Sequence, residues 1–338
     1  MIIYNNKSTA DILFRMRGSA FDGNIKLWVA VIVNVLESIF FIMYGVMEIE
    51  GKSYLDILGK VLVFLLVFRS KLAYDRFWTG RTAIADMGGS MVQMVTDFSV
   101  FFEKDDEEQV AHRQELYRLA VATFVAMNVH IRKEPGEMAQ IHRLNDYKKG
   151  GDSWMPERDK RCLEAMVKAG LLTPEEKDAM VGGGMSYVTI CSTFFAQKLK
   201  DGFQKKMLHR NLMLDVDAQM KAMVGSWSAC LKIGHYPFPF PYVQALSVFN
   251  LIFVASLPIA LVQTMGVYTP VAVAMITCGF FGLDAVGAQL EDPFGTDAND
   301  LDVGDIAQDI ADAAYVCLRA RDGNAVKQFD VTDVIDLQ

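Results

Sequence analysis

Lys60, Phe64 and Phe68 recur at four-residue intervals inside GKVLVFLLVFRSKLAYDRFW, residues 59–78. On a helix that interval drifts by about 40° per step, so the three side chains form a nearly continuous line along one face. Where such a line faces a water-filled path, its aromatic side chains supply a hydrophobic constriction, and cations gathered at its end raise the local anion concentration. The same pattern suits a stripe packed on a neighbouring helix, with Lys60 stretching its ammonium to the interface. Either way the segment poses a problem. Its apolar part, residues 57–68, reaches about 18 Å as helix, too short for a hydrocarbon core of about 30 Å. It also contains Lys60 and runs out among Arg69, Lys71, Asp75 and Arg76. Protein or water, rather than lipid, has to surround it.

The elements that position this line follow from how the apolar residues are distributed. Of 338 residues, 52% are hydrophobic and 22% charged, so the two kinds must be segregated into apolar blocks and polar stretches. Four blocks stand out, at residues 27–46, 57–68, 242–267 and 270–290. The first is long enough to cross a bilayer and is interrupted by Asn34 and Glu37, which have to face a protein interior or water. Interhelical hydrogen bonding is the preferred role for these two over a place in a pore wall, because they lie outside the 57–68 helix. Thr269-Pro270 supplies an N-cap and N1 pair for the fourth block, which forms a helical hairpin with the third. Pro258 is the one hint of a break inside the third.

Residues 69–235 are charged and carry apolar residues at helical spacing, with Gly150-Gly151 and residues 182–184 as punctuation. Thr173-Pro174-Glu175-Glu176 reads as a helix start. Lys and Arg flank the blocks on the sides joined to the N-terminus, the central region and the C-terminus, whereas residues 47–56 and 263–268 hold a single Lys. Counting positive charge places both termini and the central region on the cytoplasmic side, consistent with four crossings. The tail, residues 319–338, is expected either to cover the surface of the helical region or to act as a removable inhibitor.

Several function classes are excluded. A net charge of −8 speaks against a nucleic-acid binder, which needs a basic face. Five widely spaced cysteines without a C-x-x-C indicate neither a disulfide framework nor a zinc site. The five histidines show no H-E-x-x-H spacing, and neither G-x-S-x-G nor a phosphate-cradling loop occurs. No enzyme constellation is present. Lys205, Lys206, His209 and Arg210 form a basic cluster, read as a solvated face or as an anion-attracting vestibule.

Four further motifs complete the picture: LFRMRGSAF (13–21), AYDRFWTGR (73–81), YPFPFPYVQAL (236–246) and GLDAVGAQLEDPFGTDANDL (282–301). Their order around four apolar blocks resembles the bestrophin family of pentameric ion channels, with Arg76 and Trp78 after the pore helix and Pro293, Phe294 and Gly295 after the last span as signature residues. The resemblance implies an all-α membrane protein: four transmembrane helices per subunit continuing into a helical cytoplasmic domain, assembled as a homopentamer around an axial pore. It makes residues 1–338 one channel domain, with spans at 27–46, 57–68, 242–267 and 270–290, a helical cytoplasmic region at 69–235 and a cytoplasmic tail at 291–338.

The resemblance also assigns the pore neck to Lys60, Phe64 and Phe68, although an aliphatic residue is more usual at the first position. A ring of Lys60 side chains favours small anions, chloride or bicarbonate, over cations. A second, cytoplasmic constriction falls on Leu212 or Met213. The animal members' calcium clasp corresponds to residues 296–300, with Asp297 and Asp300 as the available acids; the other reading of this stretch is a solvated turn capping the next helix. The implied partners are further copies of the chain, anions and membrane lipids, with no nucleic acid. A plasma membrane, a thylakoid membrane and a bacterial inner membrane are all compatible. The alternatives are a cation-permeable member of the same family, or a membrane transporter or scaffold without a pore.

Overall fold

In a computed structural model, residues 15–45, 53–132, 157–182, 186–295 and 297–336 are described. Leu13, Phe14, Gly150, Gly151, Gly183, Gly184 and Thr296 lie outside them. Among the described residues the regular structure is entirely helical. The helices are α1 (Ile25–Tyr44), α2 (Ser53–Phe101), α3 (Glu107–Ile131), α4 (Glu157–Ala169), α5 (Pro174–Gly182), α6 (Tyr187–Gln204), α7 (Arg210–His235), α8 (Phe240–Met265), α9 (Thr269–Glu291), α10 (Val303–Asp322) and the single turn α11 (Thr332–Ile335). They divide into two units, Met1–Thr79 with Pro237–Asp300, and Gly80–Tyr236 with Leu301–Gln338. The 49-residue α2 contributes to both. The apolar block at 57–68 is therefore one part of a long helix, which accounts for its shortness.

In the first unit, α1 starts at Asn24, whose side-chain oxygen accepts from Leu27 N–H at 3.1 Å. Such a cap satisfies one of the donors a helix start leaves unpaired. Pro239 and Pro241 frame the start of α8, where a missing N–H costs nothing. Gly266, at φ 52°, ends α8 in a conformation that favours glycine, and Thr269-Pro270 opens α9. Ile25–Tyr44 and Phe240–Glu291 are long and apolar enough to cross a membrane. The core of this unit packs Leu62 and Leu66 of α2 against Leu246, Phe253, Val254 and Leu257 of α8 and Val273 of α9. Gly59 lets α2 approach α8 closely, because a Cβ there would lie 3.0 Å from the Phe253 ring. Asn34 and Ser38 of α1 are buried, with Ser38 Oγ donating to the Asn34 carbonyl at 2.7 Å.

The second unit is built around α3, which is buried along nearly its whole length and packs on α6, α7 and α10. Met87, Met91, Met94, Val95 and Phe98 of α2 are buried in the same unit. The helix start at Thr173 is a reciprocal capping box: Glu176 N–H donates to Thr173 Oγ1 at 3.2 Å, and Thr173 N–H to Glu176 Oε2 at 2.8 Å. The tail packs into this unit. Val326, Phe329, Val331, Val334 and Ile335 are buried, the Phe329 ring lies 5.6 Å from that of Tyr117, and Asp336 pairs with Arg132.

Candidate pore-lining helix

The first part of α2 has two faces. At about 100° per residue, Leu62, Leu66, Arg69, Ala73 and Phe77 share one side, and all five are buried. Lys60, Phe64 and Phe68 lie roughly opposite. Phe64 is 69% exposed and Phe68 46%, and their rings stack with centroids 6.4 Å apart. The Lys60 side chain is 73% exposed. The packed side is used up within the subunit, and this line of side chains is left largely exposed.

Lys60 does not stand alone. Its ammonium donates to Asp56 Oδ2 at 2.7 Å, one turn earlier, and the Asp56 side chain is 67% exposed. The sequence reading of Lys60 as a ring of cations does not include this partner. The i, i+4 spacing was the available signal.

Arg69 also differs from expectation. Sequence reading grouped it with the cationic exit of the helix, but it points into the subunit and is 4% exposed. There it pairs with Asp284 of α9, and its Nη2 lies 3.5 Å from Glu291 Oε2. Glu291 in turn accepts from Phe238 N–H through Oε1 at 2.7 Å and from Arg76 Nε through its carbonyl at 3.2 Å. The Arg76 guanidinium lies over the Phe238 ring, 5.1 Å from its centroid. Asn299 Nδ2 donates to the Gly18 carbonyl at 2.7 Å and to Gln289 Oε1 at 3.2 Å. Hydrogen bonds therefore join the four short motifs in pairs: 73–81 and 236–246 meet at Glu291 of the fourth, and 13–21 meets the fourth at Asn299. Trp78 is exposed, stacked on Tyr74 at 6.5 Å.

The family model for bacterial and fungal bestrophin proteins matches residues 1–315. This chain belongs to the bestrophin family. A Synechocystis protein named as a voltage-dependent anion channel-forming protein is 27% identical over 312 residues, 88% of each chain. A Nostoc protein with the same descriptive name is 27% identical over 247 residues, covering 71% of this chain and 69% of that one. A crystal structure of a bacterial bestrophin homologue from Klebsiella pneumoniae superposes with TM-score 0.71 at 18% identity, covering 86% of this chain and 98% of that one. At that identity the likeness establishes the helical fold alone.

Residues 293–295 form a tight turn. Phe294 is 2% exposed, and its N–H donates to Asp292 Oδ1 at 3.2 Å. Asp300 Oδ2 accepts from Asp297 N–H at 2.7 Å, and a Cβ on Gly295 would sit 2.7 Å from that oxygen, so a larger residue there would have to displace the Asp300 carboxylate. Burial, reinforced by Asp297 and Asp292, raises the Asp300 carboxyl to about 7. Its Oδ1 is buried with no hydrogen-bond partner among the described residues.

That orphaned oxygen is one donor of the kind calcium takes, but calcium requires six to eight. Among the described residues no group of three or more His, Cys, Asp or Glu side chains stands close enough to hold a metal. The described carboxylates therefore fall short of a calcium shell. Asp302, just beyond, caps α10 by accepting from Asp305 N–H at 3.3 Å.

On α7, Leu212 is 5% exposed and packed into its unit. It is thus not available to line an aperture, whereas Met213 is half-buried and Leu214 is 48% exposed. Two members of the basic cluster are paired: Lys205 bonds Glu108 at 2.7 Å, and His209 lies 2.8 Å from Glu103. Both contacts are exposed, in keeping with a solvated face. The cysteines are free; Cys162, Cys191 and Cys230 are buried, and burial pushes the Cys191 thiol up to about 12.

Proposed function

We propose that this bestrophin is a homopentameric channel, and not an enzyme, in which α2 of each subunit lines an axial path that passes small anions such as chloride and bicarbonate passively. The observation that carries the reading is the outward line of Lys60, Phe64 and Phe68, set opposite the packed Leu62 and Leu66. A lysine and an aspartate beside such a line are costly against lipid and tolerable against water. Phe64 and Phe68 supply an apolar neck of the kind that controls passage by dewetting. The names of the relatives as anion channel-forming proteins support the choice of ion.

Four crossings per subunit belong to the same proposal, with α1, the first part of α2, α8 and α9 as the spans. Met213 and Leu214 are the candidates for a second constriction. Plasma, thylakoid and bacterial inner membranes all suit the topology, and membrane fractionation separates them.

The test is the reversal potential of the purified protein in a planar bilayer under a potassium chloride gradient. A value near the chloride equilibrium potential supports the reading. A value near the potassium potential turns it to the cation-permeable alternative, which Asp56 beside Lys60 favours. No conductance from a verified pentamer favours the transporter or scaffold.

Calcium regulation requires backbone carbonyls to complete the donors around Asp297 and Asp300. Calorimetry decides: calcium-dependent heat lost in Asp300→Ala establishes the site, and no heat in the unaltered protein removes calcium from the proposal.

A further inference from the structure

Asp56 and Lys60 are the two ionisable side chains at the start of the exposed face of α2, and they are bonded to each other at 2.7 Å. We propose that Asp56 is a selectivity-determining residue, which balances Lys60 so that the outer end of the neck carries a ring of ion pairs in place of a ring of free cations. The inference rests on α2 lining the path and specifies what sets ion choice there.

The argument is electrostatic. One helical turn separates the two residues, about 6 Å along the axis. Five copies around an axis then give an acidic ring one turn before a basic ring. An ion approaching from the Asp56 side meets the acidic ring first. At the scale of the Debye length, about 8 Å at physiological salt, the two rings are felt together and their monopoles cancel. A lone Lys60 ring would raise anion concentration locally, and a lone Asp56 ring would raise cation concentration. The paired rings leave the apolar Phe64 and Phe68 as the main barrier and selectivity as a balance that either partner can tip. Both side chains are more than half exposed, so neither charge is committed to the packing of the subunit.

The test is the chloride-over-potassium permeability ratio of the full-length channel in planar bilayers, measured for Asp56→Asn, Lys60→Met and the double variant. Asp56→Asn is expected to move the reversal potential toward the chloride value, Lys60→Met toward the potassium value, and the double variant back to that of the unaltered channel. Phe64→Ala serves as the control, because shortening a neck side chain raises conductance wherever α2 lines the path. A response to Phe64→Ala with an unchanged ratio in Asp56→Asn overturns the assignment of Asp56 alone. A conducting protein that responds to none of the four overturns the pore assignment itself. Two single variants moving the ratio in the same direction would also sink the balance, since cancellation demands opposite signs.

Discussion

At the scale of single residues, the least visible feature is Arg69. Read locally it is one of several cations following an apolar run, and its partners Asp284 and Glu291 lie 215 and 222 residues away. Nothing in the spacing of residues 59–78 connects them. Once buried, the guanidinium must be matched, because a charge left unpaired in the interior costs far more than a surface pair contributes. Arg69→Met is therefore expected to destabilise the protein by about 3–5 kcal/mol, and Arg69→Met with Asp284→Leu by less, because the stranded carboxylate is gone. Thermal denaturation in detergent compares the two, and an equal loss would mean that the pair contributes only packing. His112 offers a second test at this scale. It is 5% exposed and its Nε2 faces Gly202. Burial lowers its basicity, the Lys198 and Lys205 cations lower it further, and Asp201 opposes them. The unfolded chain then binds a proton near the ordinary value of about 6.5 while the folded protein resists it. Stability is therefore complete above that value and is lost as the pH falls from it toward the lowered one. His112→Gln should flatten the decline in denaturation midpoint between pH 7.5 and 5.5; an unchanged slope would place the acid sensitivity elsewhere.

At the scale of elements, most of what could be read from the sequence was local. Thr173-Pro174-Glu175-Glu176 announces a helix start because its partners are three residues apart, and the structure shows both bonds of the box. The apolar blocks lie close to the helices, with 27–46 against Ile25–Tyr44 and 242–267 against Phe240–Met265, because hydropathy and the prolines act within a turn or two. The full length of α2 was harder to see, since its apolar pattern changes at Arg69 while helical geometry continues to Phe101. The burial of Leu212, and the choice between the two readings of the tail, were out of reach for a related reason: which face of a helix is buried depends on neighbours distant in sequence. Gly88 makes the same point. Its position on α2 looks like a weak spot for a helix, yet a Cβ there would come within 2.3 Å of Ile310 Cδ1 on α10. The glycine allows the two helices to approach. Gly88→Val should cost about 1–3 kcal/mol through overpacking, whereas the same change at Gly89, which has nothing within 4 Å, should cost less. Denaturant midpoints of the two variants check the difference, and an equal loss would assign it to helix propensity instead.

At the scale of the whole molecule, the proposed anion path has to be reconciled with an acidic protein. Each chain carries a formal net charge of −8, and the proposed pentamer multiplies it by five. Long-range repulsion of anions by that charge is felt across about 30 Å at 0.01 M salt but only about 3 Å at 1 M. With Lys60 balanced by Asp56, the neck itself adds little net field to oppose this repulsion. The chloride-over-potassium permeability ratio is therefore expected to rise as ionic strength increases at a fixed activity gradient, because salt removes the distant acidic field and leaves the neck to choose. A free ring of five lysines predicts the opposite trend, since salt would then screen the attraction that selects anions. Reversal potentials at about 0.03 M and 1 M potassium chloride, spanning Debye lengths on both sides of the one-turn spacing, separate the two cases. A ratio that falls with salt would mean that Lys60 acts as an unpaired charge in the assembled channel and that the Asp56 contact opens when the subunits come together.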